Sequence, residues 1–174
     1  MAKFIFVTGG RKSGKSSYAL KRAEELGSNK IFLATAAPLD DEMKKRIRAH
    51  KMERDGSWET VEETIRIGSV IENRSDADVI LIDCLTLWLT NLIFEKNMDD
   101  SKISEEIENL AAVIKKSKTN IIAVSNELGF GIVPLEPVTR RFLDLAGELN
   151  QKMASAAESV ILSVSGIPVL IKGT

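Results

Sequence analysis

Eight consecutive residues, Gly9-Gly10-Arg11-Lys12-Ser13-Gly14-Lys15-Ser16, have the spacing G-x-x-x-x-G-K-S. Glycines at these positions let backbone N–H groups turn inward around a phosphate, and a helix starting there adds the positive end of its dipole. A lysine so placed reaches the β- and γ-phosphates, and the hydroxyl after it binds Mg²⁺. The chemistry expected of Gly9, Gly10, Arg11, Lys12, Ser13, Gly14, Lys15 and Ser16 is therefore the binding of ATP or GTP, with Ser16 as a metal ligand. Such a metal needs a second, acidic group. Asp83 ends the apolar run Val79-Ile80-Leu81-Ile82 and is the expected carboxylate. The same position also suits a cap for a helix starting at Leu85.

His50 is the only histidine. Arg46, His50 and Arg54 are four residues apart and share one face of a helix. An imidazole among cations has its charged form disfavoured, and a neutral imidazole can act as nucleophile or base. The same cations could instead hold a polyphosphate. A solvated basic helix with an incidental histidine would show the same pattern.

These groups need a frame. Short apolar runs at residues 4–8, 31–34, 79–83 and 120–125 read as buried strands, with a shorter strand at 60–62. Helical spacing covers residues 15–26, 40–54, 65–73, 85–94, 103–116 and 138–157, with Asp40 or Asp41 as a cap. Residues 126–137 hold two glycines and two prolines and read as a long loop. Residues 160–164 and 169–172 flank Ser-Gly-Ile-Pro and predict a terminal hairpin. Continuous apolar strands alternating with helices predict an α/β fold, a mostly parallel sheet covered by helices on both faces with an antiparallel C-terminal edge strand. No linker interrupts residues 1–174, so a single P-loop nucleotide-binding domain is expected.

Bulk properties exclude several classes. With 24 basic and 25 acidic residues the net charge is −1, which gives no reason to expect nucleic acid as a partner. The N-terminal apolar run is too short for a signal-peptide core, and no stretch approaches the roughly 18 apolar residues of a membrane span. A cytoplasmic protein is expected. The single cysteine, Cys84, rules out an intrachain disulfide and reads as a small buried apolar residue. No Asn-Lys-x-Asp pattern, the guanine reader of regulatory GTPases, is present.

Further motifs run along nearly the whole chain. Thr8 precedes the phosphate loop. Ala34-Thr35-Ala36 is followed by Leu39-Asp40-Asp41-Glu42-Met43 with Arg46, Ile47 and His50. Then come Trp58 with Glu62, Asp83-Cys84-Leu85-Thr86 with Trp88 and Asn91, and Ser125-Asn126-Glu127 with Gly129 and Gly131-Ile132-Val133-Pro134. Arg141-Phe142, Leu145-Ala146-Gly147, Leu149-Asn150-Gln151 and Ser165-Gly166 complete the set. In these motifs the sequence resembles the bifunctional adenosylcobinamide kinase/adenosylcobinamide-phosphate guanylyltransferase family of cobalamin biosynthesis.

The resemblance implies a nucleoside triphosphate, GTP or ATP, as substrate, a corrinoid acceptor, and a homotrimer. It implies that His50 takes GMP from GTP; some members carry a second histidine where this chain has Ala49. It extends the nucleotide contacts to Ala34, Thr35, Ala36, Lys51, Met52, Glu53, Arg54, Glu62 and Asp83. Mg²⁺ on Ser16 and Asp83 would serve phosphoryl transfer, and Lys51 and Arg54 would neutralise a leaving pyrophosphate. Glu62 would bind the ribose or guanine edge, and an exposed glutamate at a strand end is the alternative. The glycines of the 126–134 loop suit a substrate lid or a plain turn. Trp58 and Trp88 read as core or subunit-contact residues rather than corrinoid stackers.

Overall fold

A computed structural model of the chain describes residues 2–37 and 56–173. The helix expected over residues 40–54, with His50, Lys51, Met52, Glu53 and Arg54, lies outside the described residues.

The strands are β1 (Phe4–Gly9), β2 (Lys30–Ala34), β3 (Trp58–Glu62), β4 (Val79–Asp83), β5 (Asn120–Val124), β6 (Ser159–Val164) and β7 (Ile167–Lys172). The helices are α1 (Lys15–Glu24), α2 (Ile67–Asn73), α3 (Leu85–Phe94), α4 (Asp100–Lys116) and α5 (Pro137–Ala156). The seven strands among the described residues form one sheet in the order β3-β2-β4-β5-β1-β6-β7. Every pairing is parallel except β6–β7.

Successive strand residues face opposite layers, which explains the unbroken apolar runs. Phe4, Phe6, Ile31, Leu33, Ile80, Ile82, Ile121 and Ala123 pack under α2, α3, α4 and α5. Ile5, Val7, Phe32, Val79, Leu81, Ile122 and Val124 pack on the other face, where α1 contributes Ala19 and Ala23. Helices thus cover both faces, as expected.

Boundaries differ from the sequence reading where polar residues carry the element. α4 starts at Asp100, before the first apolar contact, because the Asp99 side chain caps it by accepting from the Lys102 amide at 2.9 Å. β3 starts at Trp58, two residues early, and α2 starts at Ile67 rather than residue 65. β7 begins at Ile167 and includes Pro168, which an edge strand tolerates.

Register aligns the sheet's carboxyl ends. Glu62 pairs with Ala34, Ala34 with Asp83, Asp83 with Val124, and Val124 with Val7. Glu62, Asp83 and the phosphate loop therefore share one edge of the sheet, with β5 between β4 and β1.

Candidate functional site

The phosphate loop leaves β1 at Gly9 and enters α1 at Lys15. Its shape depends on glycine at two points. Gly9 has φ 148°, and a Cβ there would lie 2.3 Å from the Ser163 carbonyl oxygen. Gly14, at φ 93°, caps α1 without a side-chain bond, and a Cβ there would meet the Gly166 Cα at 3.0 Å. The Ser13 amide donates to the Gly10 carbonyl at 3.2 Å and closes the turn.

Lys15 folds back over the loop. Its Nζ donates to the Gly10 carbonyl at 2.6 Å and lies 3.4 Å from Ser13 Oγ. Only 7% of the residue is exposed. Burial pushes the ammonium below the usual lysine range, opposed by negative charge at Cys84 and Asp83. The Cys84 thiol is itself pushed up to about 12 by burial and by the Asp83 charge. It is neutral near pH 7, so Asp83 is the counter-charge there. Asp83 is half-buried at the end of β4. The N-cap position of α3 is Cys84, without a side-chain cap bond. Among the described residues no cluster of three or more His, Cys, Asp or Glu could hold a metal by itself. Hydroxyl and carboxylate oxygens at Ser16 and Asp83 suit a hard cation that draws its other ligands from phosphates and water.

The other expected nucleotide contacts fall into two groups. Ala34 and Ala36 lie at and just past the end of β2, and Glu62 is exposed at the end of β3, in the same row as Asp83 with Ala34 between them. Thr35 is different, because its hydroxyl is turned inward. It donates to the Cys84 carbonyl at 2.7 Å and accepts from the Cys84 amide at 2.8 Å, with no exposed surface. Asn91 Nδ2 donates to the Thr35 and Thr64 carbonyls at 2.9 and 3.0 Å. These bonds tie β2 to the β4–α3 junction and hold Asp83 in place. Trp88 is buried, with Nε1 donating to the Ile65 carbonyl at 2.7 Å. Trp58 is half-buried against Phe32, with the Lys30 ammonium 5.3 Å from the centre of its ring system.

Two supports of the site escaped the sequence reading. The first is the β6–β7 turn. Ser165 and Gly166 have φ 52° and 83°, the paired left-handed conformations of a two-residue hairpin turn. The Ser13 carbonyl accepts from the Gly166 amide at 2.9 Å and from Ser163 Oγ at 2.5 Å. Sequence shows the hairpin but not that it grips the phosphate loop 150 residues away.

The second is a buried polar chain. Ser125 Oγ donates to Asn150 Oδ1 at 2.7 Å and lies 3.2 Å from Thr86 Oγ1. Thr86 Oγ1 accepts from the Asn126 amide at 2.8 Å, and Asn150 Nδ2 donates to the Asn126 carbonyl at 3.0 Å. The Glu127 amide donates to the Gly9 carbonyl at 3.0 Å. The long loop after β5 is thereby rooted against the phosphate loop. The only signal in sequence was polar side chains at otherwise apolar positions.

The geometry is that of a phosphate loop with Lys15 folded over it and Asp83 on the same edge of the sheet. Among solved structures, an ATPase from the type III secretion system of pathogenic bacteria superposes with TM-score 0.61 at 12% identity, over 92% of this chain and 50% of that one. A Pyrococcus horikoshii OT3 protein superposes with TM-score 0.59 at 7% identity, over 98% of this chain and 86% of that one. At such identities only the fold is shared, and it is that of a P-loop NTPase. Sequence relatives are much nearer. The bifunctional adenosylcobalamin biosynthesis protein CobP of Pseudomonas aeruginosa is 39% identical over 96% of each chain. Its Escherichia coli K12 counterpart CobU is 38% identical over 97% of this chain and 99% of its own. The model for cobinamide kinase / cobinamide phosphate guanyltransferase matches residues 5–171. On those matches, this chain belongs to the cobinamide kinase / cobinamide phosphate guanyltransferase family.

Proposed function

We propose that the protein phosphorylates adenosylcobinamide and then guanylylates the product, both reactions using nucleoside triphosphate held by the phosphate loop. The observation that carries this reading is the placement of Lys15 over the Gly10 carbonyl and within the field of Asp83, in a chain of this family. In the kinase step the side-arm hydroxyl oxygen of the corrinoid forms a bond to the γ-phosphorus of ATP or GTP. The nucleoside diphosphate leaves and the hydroxyl proton is lost. Lys15 and the loop amides stabilise charge on the transferring oxygens. Ser16 and Asp83 would hold Mg²⁺, which would supply neutralisation of the triphosphate's charge.

In the second step neutral His50 attacks the α-phosphorus of GTP, and pyrophosphate leaves. A phosphate oxygen of adenosylcobinamide phosphate then displaces the histidine and gives adenosylcobinamide-GDP. Imidazole is both nucleophile and leaving group, which is what a two-step transfer requires. Lys51 and Arg54 neutralise the pyrophosphate. Met52, Glu53, Ala34, Thr35 and Ala36 complete the nucleotide contacts, with Glu62 at the ribose or guanine edge. The assembly is a cytoplasmic homotrimer. The apolar edge strand β7, exposed along its length, supports self-association.

GTP labelled at the α-phosphate tests the covalent step. The wild type should acquire acid-labile, base-stable label, and His50→Ala none. Equal label on both proteins refutes the histidine route. Kinase activity that survives alone would mark an ordinary small-molecule kinase.

A further inference from the structure

The loop between β5 and α5 holds its apolar side chains in water. Phe130 is 84% exposed, Ile132 92%, Val133 79% and Leu135 89%. Four large apolar side chains exposed within six residues of one loop are the kind of surface that marks a binding site. Both ends of the loop are fixed. At its start the Glu127 amide is bonded to Gly9, and Glu127 Oε1 accepts from the Gly129 amide at 2.8 Å. At its end Arg140 Nη1 donates to the carbonyls of Pro134 and Leu135 at 3.0 and 2.5 Å. The apolar groups are thus displayed by a pinned loop rooted one hydrogen bond from the phosphate site.

We propose that Phe130, Ile132, Val133 and Leu135 form the platform on which the corrin macrocycle of the acceptor rests while its side arm enters the phosphate site. The inference rests on the proposed kinase reading and says where that acceptor binds. Continuity with the phosphate loop through Glu127 and Gly9 favours the acceptor as occupant, because its hydroxyl must reach the γ-phosphate. The chemistry of the macrocycle favours it too. A corrin is broad and largely apolar across its faces, and a pocket of backbone amides and a lysine offers it no apolar contact.

Charge points the same way. Residues 126–139 contain Glu127 and Glu136 and no lysine or arginine, and Arg140 is turned back onto carbonyls. A Co(III) corrin with one carbanionic axial ligand carries net positive charge, which this surface complements. The other exposed apolar surface, Ile167, Val169, Leu170 and Ile171 on β7, lies along an open strand edge that suits another strand rather than a macrocycle.

The test is an Ile132→Ser/Val133→Ser double variant and a separate Phe130→Ala variant. All three side chains are exposed, so the core is untouched. With ATP and cobinamide, KM for cobinamide should rise about tenfold or more. The change in kcat should stay within about twofold, and GTP affinity without acceptor should be unchanged. An unchanged KM in an active protein overturns the platform and leaves the kinase reading intact. A raised KM that tracks loss of self-association by light scattering also overturns it, because the occupant is then a second copy of the chain. If the wild type shows no turnover, the kinase reading fails. Equilibrium binding of cobinamide, followed by its visible absorbance, then decides the platform. Binding lost only in the variants supports it, and equal binding or none overturns it.

Discussion

Replacing Ser163 by alanine removes one of two donors to the buried Ser13 carbonyl and nothing else in the phosphate loop. Ser163 is 2% exposed, so water cannot replace its hydroxyl. The Gly166 amide still reaches the same carbonyl at 2.9 Å, so the acceptor is not orphaned. The cost is then that of one hydrogen bond, about 0.5–1.5 kcal/mol, rather than the penalty of an unsatisfied buried group. For a chain of this size the loss lowers Tm by roughly 1–6 °C. If the lost bond held the loop in its binding conformation, the competent fraction falls by the same free energy. GTP affinity then weakens about twofold to twelvefold. Thermal unfolding and calorimetric titration with GTP read the two effects separately. A lowered Tm with unchanged GTP affinity would show that the hairpin stabilises the fold without shaping the loop, and the reasoning would be wrong.

Three other perturbations probe the site. Thr35→Val keeps the shape but strips the Cys84 amide of its hydroxyl acceptor, so unfolding free energy should fall by about 1–3 kcal/mol; urea denaturation checks this, and a loss under about 0.3 kcal/mol would contradict it. Lys15 titrates below the ordinary lysine value of 10.5 when folded, so the unfolded chain binds more protons in the window between the two values. Wild-type stability should therefore rise with pH toward 10.5 relative to Lys15→Met, and parallel urea curves across pH 8–10.5 would remove the basis for that claim. The Cys84 thiol, pushed up to about 12, should resist iodoacetamide at pH 8 in the native protein and react at the rate of unfolding; prompt alkylation before unfolding would show the burial to be wrong.

Much of this site could be read from sequence because local patterns encode it. Gly9 and Gly14 are glycines for backbone reasons that the motif spacing already carries, and the apolar run before Asp83 marks a strand end. Cys84 followed the expectation of a buried apolar residue. What sequence could not supply was pairing between distant segments. The place of Thr35 in a motif does not reveal that its hydroxyl is bonded to the Cys84 backbone, a relation set by the register of β2 on β4. Ser163 and Gly166 read as parts of a hairpin because turn chemistry is local. That they bond Ser13 depends on β6 lying beside β1, and strand order leaves no local trace. The starts of α4 and β3 were missed for a simpler reason. Apolar periodicity locates packed faces, and capped or half-exposed turns lie beyond them.

Strand order also explains why the acceptor surface sits where it does. β5 separates β4 from β1, so Asp83 and the end of β1 stand two strand spacings apart, about 10 Å. That gap leaves room for phosphates between Asp83 and Lys15. It also forces the chain leaving β5 to emerge between them. In a parallel sheet the carboxyl ends of the strands form the binding crevice, and here the segment rising from the middle of that crevice is the loop bearing Asn126 and Glu127. Its backbone is committed at once to Gly9, Thr86 and Asn150. The apolar residues that follow are then presented at the rim. A single interposed strand thus spaces Asp83 from the phosphate loop and delivers the chain leaving β5 to the same edge. The proposed pair of transfers would use that arrangement, with the triphosphate held while different groups approach different phosphorus atoms.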